Sequence, residues 1–311
     1  MTRIKSGPQA LVLLSGGLDS LLAAKLIQNQ GVSLIGVAFK SYFFDVSLAA
    51  TKQAKELSIP LKIINIGRAH LKKVLFPKYG YGAGLNPCLD CHLLMIKKAY
   101  RLSLDKRADF LVTGDVLGQR PLSQNRRALE LIDREAKVKG LVVRPLSAKL
   151  LAPTIPEKKG WIDREKLLAI RGRSRKEQLA LARKFRLGNY TAPAGGCLLT
   201  DPLFSRRLKN LLIRFSVPSP NSLELVKLGR HFWFSNTWVI IGRNYQENER
   251  IRELAREGDF LIELVSVPGP TTLIRGKVNE KILVKARRLT KGCAPKAKGR
   301  KVEFIVEKKG N

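Results

Sequence analysis

From residue 10 onward, short apolar runs alternate with longer stretches in which apolar residues recur at helical spacing. Ala10 to Leu14, Leu34 to Phe39, Leu61 to Ile66, Phe110 to Thr113 and Leu141 to Val143 predict strands. The stretches between them, Leu18 to Gln28, Val46 to Leu57 and Leu93 to Leu104, predict helices. This βαβ alternation predicts an α/β fold built on a doubly wound parallel sheet. Ligands of such sheets bind beyond the carboxyl ends of the strands, so the loops opening at Ser15, Lys40, Gly67 and Gly114 are expected to converge on one cleft.

Further along, residues 157–186 read as basic and helical, with eleven Lys and Arg between Lys158 and Arg186 against Asp163, Glu165 and Glu177. A turn is predicted at Pro193 to Gly196 and a helix at Pro202 to Leu212. The Pro- and Ser-rich stretch from Phe215 to Ser222 marks a linker. The expected organisation is a first domain over 1–214, a linker over 215–235 and a smaller α/β domain over 236–311. In that last domain, strands are predicted at Val239 to Ile241, Phe260 to Val265 and Thr271 to Ile274. Helices are predicted at Tyr245 to Arg256 and Lys281 to Leu289.

Charge then narrows the function classes. The chain of 311 residues holds 58 Lys and Arg against 25 Asp and Glu, a formal net charge of +33. Such an excess calls for a polyanion, and nucleic acid is the first partner to consider. Between Lys281 and Val302 there are nine basic residues and no acid, a place for a phosphate backbone to sit. No apolar run reaches the roughly 18 residues of a membrane span, and the N-terminus lacks the form of a cleaved signal. A cytoplasmic protein without membrane contact is expected. Four cysteines are too few for a disulfide scaffold, and Cys88 and Cys91 form a C-x-x-C pair suited to metal or redox work.

Two motifs carry chemistry. Ser15-Gly16-Gly17-Leu18-Asp19-Ser20 follows a strand and opens a helix: the glycines permit close backbone approach, the helix start presents unpaired N–H groups and the serines add hydroxyl donors. An anion fits there. No G-x-x-x-x-G-K-[ST] occurs, which argues against a GTPase or kinase loop. The second motif is Asn86-Pro87-Cys88-Leu89-Asp90-Cys91-His92, placed before a helix whose dipole favours thiolates. Cys197, in Gly195-Gly196-Cys197, stands about a hundred residues on.

Ser-Gly-Gly-x-Asp-Ser resembles the signature of the PP-loop ATP pyrophosphatases, whose fold is that of the adenine nucleotide α-hydrolases. The resemblance implies ATP with Mg2+: Ser15, Gly16, Gly17, Asp19 and Ser20 would hold pyrophosphate, and backbone near Ala38 and Phe39 would meet adenine. Thr113-Gly114-Asp115 is similar to the family's later turn at the nucleotide cleft, with Asp115 orienting magnesium or a substrate group. Asn-Pro-x-x-x-Cys after such a sheet is similar to the tRNA thiouridylases, which implies a catalytic Cys91 and a sulfur-carrying Cys197. Cys88 stands where those enzymes usually carry Asp. That extra thiol resembles the iron–sulfur-dependent tRNA thiolation enzymes, in which Cys88, Cys91 and Cys197 would ligate a [4Fe–4S] cluster. A persulfide pair, or a Zn2+ site drawing on His92 or His70, stays open beside it. Cys293, among lysines, reads as an incidental exposed thiol.

The strings Gly118 to Gln124 and Arg144 to Lys149 resemble segments of uncharacterised thiouridylase relatives, and their arginines with Lys149 are candidates to clamp phosphate. In the C-terminal part, Ile241 to Glu249, Gly258-Asp259-Phe260 and Val267 to Pro270 resemble the RNA-binding domain of NFACT proteins, although that domain's usual tryptophan and histidine are absent. Arg243, Asn244, Arg275 and Lys277 are the candidate RNA-facing residues. Together these resemblances imply a tRNA sulfurtransferase that takes sulfur from sulfide or a persulfide carrier. Two alternatives remain: a PP-loop synthetase or amidotransferase acting on a small substrate, and an RNA-binding factor without catalysis.

Overall fold

The computed structural model describes residues 7–191 and 196–310. The expected turn at Pro193 to Gly196 falls largely outside them. The chain divides into two compact units, Met1–Thr200 and Asp201–Asn311.

In the first unit, β1 (Gln9–Leu13) leads into α1 (Leu18–Gln28), β2 (Ser33–Ser41), the short β3 (Phe44–Asp45), α2 (Ser47–Glu56) and β4 (Leu61–Asn65). Then come α3 (Gly67–Leu75), α4 (Cys88–Asp105), β5 (Phe110–Val112), α5 (Arg126–Glu135), β6 (Val142–Val143), α6 (Ile155–Lys158) and α7 (Lys176–Lys184). The parallel strands run in the order β4, β2, β1, β5, β6, and β3 folds back antiparallel on the end of β2. Alternation along β1 sends Ala10, Val12 and Leu14 to one face, under α1 and α2, and Leu11 to the other, under α4 and α5. Apolar burial on both faces explains why these strands read as continuous hydrophobic runs. The order reverses at the β1–β5 pair, which makes the loops after β1 and β5 the walls of the ligand crevice.

Three expectations need correction. Residues 157–186 are mostly irregular rather than helical: Gly160 and Gly172 take left-handed backbone at φ +70° and +80° and interrupt any helix. The stretch 215–235 is no linker, and the two units part earlier, between Thr200 and Asp201. It carries α9 (Pro220–Leu225), preceded by α8 (Pro202–Arg214), and the strand β7 (Arg230–Phe234). Its Ser219 caps α9 through Ser222 N–H, Pro220 occupies the first helical turn, and Leu223, Leu225 and Val226 are buried. Pro and Ser here start a helix instead of loosening the chain. Finally, Cys293 caps the last helix of the second unit and packs against that unit's core.

The second unit continues with β8 (Thr237–Ile241), α10 (Tyr245–Leu254), β9 (Phe260–Leu264), β10 (Thr272–Arg275), α11 (Glu280–Gly292) and β11 (Phe304–Lys308). Its sheet is antiparallel in the order β11, β9, β10, β8, β7, with α11 packed on one face over Val239, Ile241, Ile262 and Ile274.

His231 is the acid-sensitive point of this unit. Its Nδ1 accepts from Trp238 Nε1–H at 2.9 Å, its Nε2 lies 2.6 Å from Leu228 O, and burial pushes its pKa down to about 4. Protonation would set an N–H against the indole N–H. The neutral form therefore contributes on the order of 3 kcal/mol, present above about pH 6.5 and lost as the pH falls toward 4. In a Trp161→Phe background, denaturant unfolding read by tryptophan emission is expected to show this loss between pH 7 and 4.5, and His231→Phe to flatten it. An equal pH dependence in both would refute the assignment.

Candidate active site

The loop after β1 is shaped by two glycines and a serine. Gly16 has φ +77°, and an added Cβ would sit 2.6 Å from Ala49 Cβ, so both conformation and space demand glycine. Gly17 stands at the head of α1, where no side chain caps the first turn; the N–H groups of that turn, without partners inside the helix, and the positive end of the helix dipole remain for an anion. Ser20, buried, donates to Gly17 O at 2.9 Å and accepts from Ser15 N–H at 3.2 Å, locking the loop's curvature. A residue that the sequence reading passed over completes it: Gln53 of α2, fully buried, donates to Gly17 O at 3.0 Å. Its signal was legible, since Gln53 is a polar group on the apolar stripe of Ala50, Ala54 and Leu57.

The turn after β5 is pressed onto this loop. A Cβ on Gly114 would lie 2.5 Å from Ser20 N and 2.6 Å from Asp19 C. Asp19 receives Gln119 Nε2–H on Oδ2 at 3.0 Å, while its Oδ1 is buried without a partner. Asp115, expected to face magnesium or substrate, is instead an ionic hub. Its carboxylate accepts from Thr113 (2.7 Å) and Gln124 (3.0 Å) and meets Arg144 and His92 at 3.4 Å each. His92, Arg144 and Thr113 hold it ionised, far below the usual carboxylate range, against a large burial penalty. Arg144 is likewise spent, forking onto Asp133 at 2.7 and 2.8 Å, and Lys149 pairs with Glu165. Neither is a phosphate clamp in this arrangement.

At the end of β2, Leu14 N–H donates to Val37 O. Strand alternation therefore carries the backbone of Phe39 past the last residue of β1, beside the glycine loop, while Ala38 pairs toward β4. His70, buried at the same end, lies 2.8 Å through Nδ1 from Ser41 Oγ and leaves Nε2 unpartnered.

The thiols come from two segments. Cys88 opens α4, and its sulfur receives Asn86 Nδ2–H at 3.1 Å. Cys91 lies one turn on, next to His92, so the hub at Asp115 ties this helix to the phosphate loop. Cys197 is followed by Leu198, whose N–H donates to Phe43 O at 2.9 Å, while Thr191 N–H donates to Gly16 O at 2.9 Å. Burial pushes the Cys91 thiol well above its usual range, and the neighbouring Cys197 and Cys88 add to the rise. Cys197 is pushed up to about 11 by burial, with Arg120 acting in the opposite sense. The three sulfurs thus feel one another, and Arg120 is the arginine of these strings that bears on them. Among the described residues, however, no three His, Cys, Asp or Glu side chains are grouped as a ready metal site.

The candidate RNA contacts of the second unit fare differently. Arg275 is clamped on Asp259 at 2.6 and 2.9 Å, Arg243 is paired to Glu247, and Asn244 caps α10. Their polar groups hold the fold together. Lys277 is exposed.

A parallel sheet with a glycine–serine loop at its switch point is an α/β arrangement suited to holding an anionic ligand. Residues 8–155 match the family model described as the tRNA methyl transferase HUP domain, and residues 229–311 match the NFACT protein RNA binding domain. The tRNA-specific 2-thiouridylase MnmA of Karelsulcia muelleri is 29% identical over 126 residues, covering 38% of this chain and 33% of that protein. The enzyme of the same name from Symbiobacterium thermophilum is 26% identical over 241 residues, covering 68% of this chain and 58% of its own. Among solved structures, a 4-thiouridine synthetase–RNA complex with bound ATP aligns at 21% identity and a TM-score of 0.39, covering 71% of this chain and 53% of that one. The likeness to the thiouridylases thus falls in the first part of the chain and the likeness to the NFACT domain in the last, and the chain spans a third to somewhat over half of the curated relatives named here. Among the described residues no helix is long and apolar enough to cross a membrane.

Proposed function

We propose that the chain is an ATP-dependent tRNA uridine thiolase. The observation that carries this reading is the link between thiols and phosphate loop: Gly114 abuts Ser20, and Asp115 holds the His92 that follows Cys91. ATP would be held with its phosphates at Ser15 to Ser20 and its base beside Phe39. The unpartnered Asp19 Oδ1 would hold Mg2+, which supplies charge neutralisation for the departing pyrophosphate.

A uracil oxygen leaves poorly as hydroxide and readily on AMP. Attack of that oxygen on the α-phosphorus releases pyrophosphate and leaves an adenylated base. The terminal sulfur of a Cys197 persulfide then attacks the activated carbon and AMP departs with the oxygen. Cys91 attacks the remaining Cys197 sulfur, so the thiouridine is released as the pair is oxidised to a disulfide, which a thiol reductant must reopen. A persulfide carrier supplies that outer sulfur by exchange onto Cys197, leaving the carrier as a free thiol; sulfide, already fully reduced, would serve only the cluster alternative. Three thiols also suit a [4Fe–4S] cluster on Cys88, Cys91 and Cys197, with Asn86 as a hydrogen-bond donor to its first ligand; such a group would supply an open iron for sulfide. Among the described residues these thiols are not grouped as a ready metal site.

AMP and pyrophosphate release is the test. Stimulation by bulk tRNA, with thiouridine in the digested product, is the expected result. Release driven by small acids or amides instead would make the chain a small-substrate synthetase, and no release under either condition would make it an RNA-binding factor without catalysis.

A further inference from the structure

The second unit holds a groove that none of the roles above uses. Its volume is about 630 Å³, and it is lined by His231 to Phe234 of β7 together with Lys285, Arg288 and Leu289 of α11. Among the described residues β7 is the last strand of its sheet and pairs with β8 alone, so no described strand lies on its outer edge. Aromatic rings dominate this edge and are held rigidly. Trp233 stacks on the buried Trp238 at 5.1 Å and 4°, His231 stacks on Trp238 at 5.5 Å, and the four side chains from His231 to Phe234 are half-buried. Cations already sit on two of the rings: Arg214 lies 4.4 Å above Trp233, and Lys285 Nζ lies 5.0 Å from the Phe234 centroid. Along α11, Lys281, Lys285 and Arg288 are exposed at i, i+4 and i+7 and form one stripe beside the groove. The acid of this helix, Glu280, is turned to Arg287.

We propose that this groove binds an unpaired stretch of RNA, bases against the β7 aromatics and phosphates along the α11 stripe. The inference rests on the tRNA reading and assigns its second contact surface. Flat aromatic faces accept any base, but only one that is out of a duplex, and a row of cations follows a backbone. A free strand edge also invites an extended peptide; the basic stripe favours the polyanion.

The full chain in a Trp161→Phe background would be titrated with an unstructured pyrimidine-rich RNA oligonucleotide, with the same sequence as a duplex, and with an extended acidic peptide. The single strand is expected to quench tryptophan emission and to bind at least about tenfold more tightly than the duplex. Lys285→Glu with Arg288→Glu is expected to weaken binding at least tenfold and to flatten the log–log salt slope by about 1.4, at roughly 0.7 for each lost phosphate contact. An unchanged melting profile would show that the variant folds. Phe232→Leu, a gentler change, is expected to reduce quenching and affinity together. Unaltered RNA affinity and quenching in both variants, or quenching by the peptide and not by RNA, would overturn the groove assignment. Because oligonucleotide binding needs neither ATP nor sulfur, a chain that binds RNA here yet makes no thiouridine would sink the enzymatic reading and keep the groove. Thiolation together with variant-insensitive binding would do the reverse.

Discussion

Gly114→Ala is expected to lower ATP-dependent AMP formation by about a hundredfold or more, with most of the second unit undisturbed. The added methyl would meet Ser20 N at 2.5 Å, Asp19 C at 2.6 Å and Ser20 Cα at 2.7 Å. All three atoms are backbone of the first turn of α1, with no flexible side chain to swing aside. Either that turn retreats or the Thr113–Asp115 turn does. In both cases the N–H groups that would face pyrophosphate shift against the rest of the cleft, and displacements near 1 Å at reacting groups cost about two orders of magnitude. Gly188→Ala is the matched control, since nothing lies within 4 Å of its added methyl and its φ is not left-handed. Nucleotide titration calorimetry and AMP release are the measurements. A Gly114→Ala enzyme that binds ATP and forms AMP like the control would remove the loop contact from the mechanism.

Cys91→Ser and Cys197→Ser are each expected to abolish thiouridine formation, by on the order of a thousandfold or more, because the two thiols act as one unit. Cys88→Ala separates the possible chemistries. Iron and acid-labile sulfide counts on anaerobically purified protein read the cluster alternative: a cluster on Cys88, Cys91 and Cys197 would be lost in Cys88→Ala together with its visible absorption. A colourless, iron-free protein that still thiolates would assign sulfur transfer to Cys91 and Cys197 alone. Without a bound group these thiols are poor nucleophiles near neutral pH: burial holds Cys197 at about 11 and Cys91 higher still. The thiolates have to be drawn out by metal, by persulfide formation or by an approaching substrate.

Local pattern decided how much of this could be read from the chain. α1 has the predicted bounds because Leu18, Leu21, Leu22 and their neighbours repeat at helical spacing directly behind a glycine turn. The strands fall within a residue or two of their predicted places, and for β1, β2 and β5 burial writes them as apolar runs. α3 was missed: its buried apolar positions are few, Leu71 and Val74 among basic residues. α5 carried a readable signal in Asn125, which caps it, and in Ala128, Leu129 and Ile132, which it buries. β7 went unrecognised because its aromatic run adjoins a Pro–Ser stretch that reads as loop, and β11 because it follows an unbroken basic segment. Within the site, the glycine loop and the C-x-x-C pair were legible because each is contiguous. The roles of Asp115, Arg144 and Arg275 were not, because a carboxylate or guanidinium carries no mark of its partner when that partner is distant in sequence. Asp115 looked like a free acid and is enclosed by Thr113, Gln124, Arg144 and His92.

The anchoring of Leu198 to Phe43 sets the reach of the neighbouring sulfur. A side chain one residue from a hydrogen-bonded backbone has a tether of a single peptide unit, about 3.8 Å between α-carbons. Cys197 is therefore a docking post and not a swinging arm: while that bond holds, it cannot travel out to collect its cargo. If the proposed thiolase reading holds, whatever brings sulfur must carry it into the crevice itself, so the donor should be either a small persulfide that diffuses in or a carrier with a protruding loop that delivers its own terminal atom.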